Sequence, residues 1–270
     1  MVELKLKEVQ RVALDLLIEF DKICKENSFR YSLGGGTLLG AIRHGGFIPW
    51  DDDIDIMMPR VDYEKFLEYC HHDNCGFDCL SLNYTENYFD LFTRISDRRT
   101  YLVDDSREID YKMGVSIDIF PIDGLGNNDS IALRNFNKGR FKRELLVASK
   151  WKKYFRSETR SILFEPVRML LFLMSRFVNK QKLCQSVDAT CQLNDFETSH
   201  FAGCISGVYR EKEIMLASTF KNYQTIQFEG YDFDIILDYD AYLTKHYGNY
   251  MQLPPIEQQV SHHRAQYYWR

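Results

Sequence analysis

The sequence predicts an α+β fold, a small mixed sheet flanked by helices, with a helical, basic insertion between the two parts of the sheet domain. Three observations predict it. Apolar residues recur at helical spacing near the start, two short strands alternate isoleucine with aspartate, and a long middle segment has few turn signals and an excess of positive charge. With 270 residues and 45% hydrophobic composition, the chain can bury a sizeable core.

Val9, Val12, Ala13, Leu16, Leu17, Phe20 and Ile23 form one apolar stripe, which predicts an amphipathic helix over 4–26 that Asn27 and Ser28 stop. A short apolar run over 29–33 meets Gly34-Gly35-Gly36, after which Thr37 can cap a helix running to His44. Gly45-Gly46 and Pro49 mark a loop. Residues 54–58 read as a strand and 60–71 as a helix. A second strand over 115–120 is expected to end at Pro121 and the turn Asp123-Gly124. Residues 227–233 read as a hairpin around Gly230, and Asp238 can cap a helix reaching His246. The expected organisation is a catalytic domain of residues 1–128 and 200–270, interrupted by the insertion at 129–199.

Between Arg134 and Lys182 there are 14 Lys and Arg against 3 Glu, a local balance of +11; the other 20 basic and 36 acidic residues leave the rest at −16. Such a split suggests surfaces with different partners, although a solvated helical face would show it too. Nucleic acid is not the expected partner, since the basic stretch lacks the aromatic interleaving of a base-stacking channel. No run of apolar residues is long enough to span a bilayer, and no signal-peptide core is evident. The seven cysteines read as reduced thiols, so a cytoplasmic location is expected. Within 161–178, Leu163, Val167, Leu170, Leu171, Met174 and Val178 lie close to one stripe. That stripe can rest on the inner face of an anionic membrane or pack inside the insertion, and periodicity does not separate the two.

The chemistry is concentrated around the first strand. Side chains alternate faces on a strand, so Asp53 and Asp55 project together while Ile54 and Ile56 point into a core. Two adjacent carboxylates are costly to bury without a cation, and oxygen donors favour Mg²⁺ or Mn²⁺ over zinc. Asp118, opposite Val115, Ile117 and Ile119, joins them if the two strands are neighbours. Gly35 and Gly36, leading into a helix N-terminus, suit close approach of a phosphate; a tight turn without a ligand is the plainer reading. Arg43 is a candidate phosphate clamp. Cys70, Cys75 and Cys79 are candidate zinc ligands, weighed against a helix end followed by a polar loop. His262 and His263 could reach a phosphate in the closed fold.

These residues resemble the LicD family of phosphocholine transferases, relatives of the fukutin-type sugar phosphotransferases. The resemblance rests on the segments GGTLLGAIR from Gly35, GFIPWDDDIDI from Gly46, SIDIFPID from Ser116 and YGNYMQLPP from Tyr247. It implies a nucleotidyltransferase-type fold with Asp53 and Asp55 holding the metals and Asp118 completing the site near the acceptor hydroxyl. It also implies transfer of phosphocholine from CDP-choline to a hydroxyl of a cell-surface glycan precursor, of teichoic acid or lipopolysaccharide type, on a lipid-linked oligosaccharide. One metal would activate the hydroxyl and a second would neutralise the leaving group, with Asp118 as candidate base. A quaternary ammonium needs aromatic faces, for which Trp50, Tyr84 and Tyr88 are candidates. Two other readings stay open: the same fold transferring another phospho-alditol or nucleotidyl group, and a non-catalytic nucleotide-binding protein.

Overall fold

Helix α1 (Leu6–Asn27) follows the predicted stripe, burying Val9, Val12, Ala13, Leu16, Leu17, Phe20 and Ile23. It ends where Ser28 takes the left-handed conformation (φ 57°) and donates back to the last carbonyls. The computed structural model describes residues 2–73, 75–104, 109, 111–156, 161–260 and 265–270. After α1 come β1 (Ser32–Leu33), α2 (Gly35–His44), β2 (Asp55–Pro59) and α3 (Arg60–His72). Next are β3 (Asp78–Leu80), β4 (Thr93–Ser96), β5 (Thr100–Val103) and the long β6 (Ser116–Gly126). Four helices follow: α4 (Asp129–Asn137), α5 (Arg140–Ser149), α6 (Glu165–Ser175) and α7 (Lys180–Cys191). The chain returns through β7 (Phe201–Gly203), β8 (Met215–Leu216), the hairpin β9 (Tyr223–Phe228) and β10 (Tyr231–Ile236), α8 (Tyr239–Tyr247) and β11 (Gln266–Trp269).

The fold is the expected α+β class, with a mixed sheet of order β1-β2-β6-β4-β3, extended by β7 and β8. β2 and β6 are parallel, which places Asp55 directly beside Asp118; β4 runs antiparallel on the other side of β6, with Arg94 opposite Asp118. Ile54, Ile56, Ile117 and Ile119 are buried in the main core, so the isoleucine–aspartate alternation turns the acids to the other face. The hairpin turn Glu229-Gly230 has positive φ at both residues, the conformation that two-residue hairpins favour.

Two local expectations are corrected. β6 does not stop at Pro121 but runs on to Gly126. Pro121 pairs with Met58 on one side, while on the other β4 pairs only as far as Ile119 and β7 begins at Asp123. The missing N–H therefore falls where β6 changes partners. Helix α2 is capped by Gly34 rather than Thr37, because the Thr37 hydroxyl is taken by the Asp55 backbone N–H at 2.8 Å.

Candidate active site

Three glycines let the chain pass from β1 into α2 against the first acid. The Gly34 N–H donates to the Asp55 carbonyl at 2.8 Å, continuing the sheet, and Gly35 then takes φ +46°. A Cβ at Gly35 would lie 2.5 Å from Asp55 Oδ2, and one at Gly36 would lie 3.0 Å from Asp51 Oδ2. Only glycine fits at Gly35, on conformation and on space. The acidic loop is fixed from behind by α1, where buried Gln10 donates to the Asp51 carbonyl at 2.7 Å.

Asp51, Asp53 and Asp118 all act electrostatically on Asp55. Burial first, then the charges of Asp53, Asp118 and Asp51, push the Asp55 carboxyl well above its usual range; Arg94 opposes them. Arg94 was not anticipated. It is buried, donates from Nε and Nη2 to the two Asp118 oxygens at 3.0 and 3.4 Å, and lies over the Phe92 ring at 4.5 Å. Its Nη1 reaches Asp90 at 2.5 Å, and Lys150, just after α5, also pairs with Asp90. Burial opposes the Asp90 charge, but Arg94 and Lys150 outweigh it and hold the carboxyl well below the ordinary range. The signal was faint in sequence: a four-residue strand, Thr93–Ser96, with one arginine in it.

The donor set suits a hard divalent cation, because the oxygens are carboxylate and the row Asp55–Asp118–Arg94 carries less positive than negative charge. Among the described residues no three His, Cys, Asp or Glu side chains already stand at metal-cage spacing. The fit is therefore one of charge and donor type, centred on Asp53 and Asp55, with Asp118 oriented beside them by Arg94.

The remaining predicted residues separate. Arg43 sits near the C-terminal end of α2, about 12 Å along the axis from the glycine turn, and donates to the Tyr250 carbonyl at 3.1 Å. Tyr88 is fully buried, with its hydroxyl on the Phe92 carbonyl at 2.9 Å, so it offers no open face. Tyr84 stacks on His71 at 4.2 Å and borders a cleft of about 790 Å³ between residues 82–89 and the insertion. Trp50 packs, partly buried, against the core. Cys70 contacts both Cys75 and Cys79 through its thiol, but these three do not form a ready-made zinc group. His262 and His263 lie outside the described residues.

Aromatic faces do reach the acids, from elsewhere. Tyr209 and Tyr247, both half-buried, meet edge to face at 5.3 Å with their hydroxyls hydrogen-bonded. Tyr242, on α8, accepts from the Gly35 N–H at 3.4 Å. Burial raises all three phenols, and the Asp55 charge adds to each. Glu213 stands behind this corner, accepting from the Tyr209 N–H at 3.2 Å. On another side, burial and then Asp52 and Asp118 raise Tyr267, which β11 carries to the site. These tyrosines come from segments far apart in the chain, so no local spacing announces them.

Comparison with known proteins agrees with this geometry. A family model described as "LicD/FKTN/FKRP, nucleotidyltransferase domain" matches residues 28–144. The lipopolysaccharide cholinephosphotransferase LicD of Haemophilus influenzae is 32% identical over 274 residues, 99% of each chain. The chain belongs to the LicD family. Shorter likenesses are to the ribitol 5-phosphate transferase FKRP of Homo sapiens, 67% identical over 27 residues (10% of this chain, 6% of that one), and to an uncharacterised Rickettsia typhi protein, 41% identical over 51 residues (19% and 16%). Membership in this family makes the chain a transferase.

Proposed function

We propose that this chain is a phosphotransferase that moves phosphocholine from CDP-choline to a hydroxyl of a lipid-linked cell-surface glycan precursor, of lipopolysaccharide or teichoic acid type, with Mg²⁺ or Mn²⁺. One observation carries the reading: full-length similarity to a lipopolysaccharide cholinephosphotransferase in a chain whose Asp55 and Asp118 are strand neighbours. That membership also sets aside a non-catalytic nucleotide-binding role.

In the reaction, the acceptor oxygen forms a bond to the phosphorus bearing choline, and the bond from that phosphorus to the CMP oxygen breaks, with the electron pair leaving on CMP. Asp53 and Asp55, with Asp118, would hold the metal, which supplies charge neutralisation for the phosphates when bound. Asp118, oriented by Arg94, would take the hydroxyl proton. The glycine turn gives the diphosphate close backbone approach. The Tyr209–Tyr247 corner, with Glu213 behind it, suits the quaternary ammonium, which binds to aromatic faces.

The short likeness to a ribitol 5-phosphate transferase supports a second reading, in which the cargo is another phospho-alditol. The test is CMP release from CDP-choline, CDP-ethanolamine, CDP-glycerol and CDP-ribitol, with Mg²⁺ and a glycan acceptor. CDP-choline is expected to be used at least about 10-fold faster than the others, as a cation–π contribution of about 1–2 kcal/mol allows. Asp53→Asn and Asp55→Asn are expected to abolish release with the circular dichroism spectrum unchanged. Equal use of all four donors would remove the choline reading, and near-normal turnover in either Asn variant would remove the site.

A further inference from the structure

Helix α6 faces the wrong way for a soluble protein. The side chains that it buries are Arg168 and Ser175, while Val167, Met169, Leu170, Leu173 and Met174 face out. Arg168 is 6% exposed, lying over Trp151 and Phe155 at 5.1 and 5.4 Å, paired with Glu165 and donating to the Phe155 carbonyl at 3.2 Å. Arg176 turns back to the end of α5, donating to the Ala148 and Ser149 carbonyls at 3.2 and 3.0 Å. The outer face is left to Leu163, Val167, Leu170, Leu173, Met174 and Phe177, with Leu163 82%, Leu170 57% and Phe177 92% exposed. An apolar face of this kind needs a partner. The stripe read from the sequence is presented in part: Leu163, Val167, Leu170 and Met174 are exposed, Leu171 and Val178 are half-buried, and Leu173 and Phe177 complete the outer face.

We propose that this face docks on an anionic membrane surface, lying in its plane. The charge around it selects that occupant. Residues 151–156 pack beside α6 through Trp151 and Tyr154 on Phe172, and they carry exposed Lys152, Lys153 and Arg156 between those rings. The wider segment 134–182 has a +11 balance in sequence, of which Lys150, Arg168 and Arg176 are turned inward and the rest leaves an excess of positive charge. A second copy would bring an equal positive charge against this one, whereas anionic headgroups neutralise it. No helix among the described residues is long and apolar enough to cross a bilayer, so the contact is peripheral. The α5 end that Arg176 grips is followed at once by Lys150, which pairs with Asp90, and Asp90 with the Arg94 that orients Asp118. A chain of contacts thus joins α6 to Asp118. The docking itself does not depend on which group is transferred.

Vesicle flotation of the full chain tests it, with vesicles of phosphatidylcholine alone or mixed with phosphatidylglycerol, and with size-exclusion chromatography of the same samples. Binding is expected to the mixed vesicles at low salt, with at least about 10-fold loss in high salt or in Lys153→Glu/Arg156→Glu. Leu170→Asp and Phe177→Asp, both at exposed positions, should keep the circular dichroism spectrum and lose binding. A folded wild type that stays unbound on anionic vesicles, or binds them equally with Leu170→Asp, overturns the proposal. So does a wild type that ignores vesicles yet forms a dimer that Leu170→Asp dissociates, since the face would then belong to a second copy.

Discussion

Asp90 is a carboxylate with two cations, and its neighbours depend on it more than its own chemistry does. Arg94 and Lys150 are both drawn to it, and Arg94 uses its remaining donors on Asp118. Removing that charge leaves two cations in a largely buried position, which costs about 3–5 kcal/mol where one partner of a buried pair is lost. Asp90→Asn is therefore expected to lower stability by that order at pH 7. The carboxyl is held below its ordinary value of 3.8, so this contribution is complete above about pH 5 and fades as pH falls below it. Urea midpoints of wild type and variant should differ by a constant amount down to that pH and then converge; a gap that widens with acid would contradict the pairing. Gly35→Ala is the second test at this scale. It places a Cβ against Asp55 at a positive φ, so a stability loss of about 1–2 kcal/mol should accompany loss of CMP release. Normal turnover would show that the acid is not where the structure puts it.

At the scale of elements, what was legible is what repeats. Alternation on β2 and β6 marked Asp55 and Asp118 as facing away from the buried isoleucines, and α1 was read from its stripe alone. Arg94 stayed hidden because β4 has only four residues, and its meaning comes from lying antiparallel to β6, a fact of topology. Arg43, close in sequence to the glycines, is carried along the axis by the rise of α2 and donates to the Tyr250 carbonyl. Periodicity found the α6 stripe but not its direction, since an inward arginine and an outward leucine give the same pattern as the reverse. The pairing of the tyrosine corner was hidden for a different reason: Tyr247 opens a segment that carries the family resemblance, but Tyr209 precedes a short 3-10 turn, Tyr247 ends α8, and only packing brings them together. If that corner holds the ammonium group, Tyr247→Leu should raise the KM for CDP-choline by about 10-fold and leave that for CDP-glycerol nearly unchanged. Equal losses for both donors would assign Tyr247 a structural role only.

At the scale of the whole molecule, the helical segment and the sheet share their contacts. Leu125 at the end of β6 and Ile205 beyond β7 form one buried cluster with Ala132, Phe136, Val187 and Cys191 of α4 and α7. Arg60, which opens α3 beside β2, grips Asp123 of β6 through two hydrogen bonds of 2.7 and 3.0 Å and also pairs with Asp188 of α7. Lys150 adds the tie to Asp90. A unit attached through a buried cluster and two ion-pair networks does not unfold alone, because its separation would expose both the apolar surface and the unpaired charges. The chain is therefore expected to unfold in a single transition. Trp151, packed on Phe172 and Arg168, reports on the helical segment once Trp50 and Trp269 are replaced by Phe. Its fluorescence should change at the same urea concentration as the far-ultraviolet circular dichroism of the whole chain. Leu125→Ala, which empties part of the shared cluster, should move both signals together by about 2–5 kcal/mol. If Trp151 melts first and Leu125→Ala shifts only that early step, the helices form an independent unit and the shared cluster does not couple them to the site.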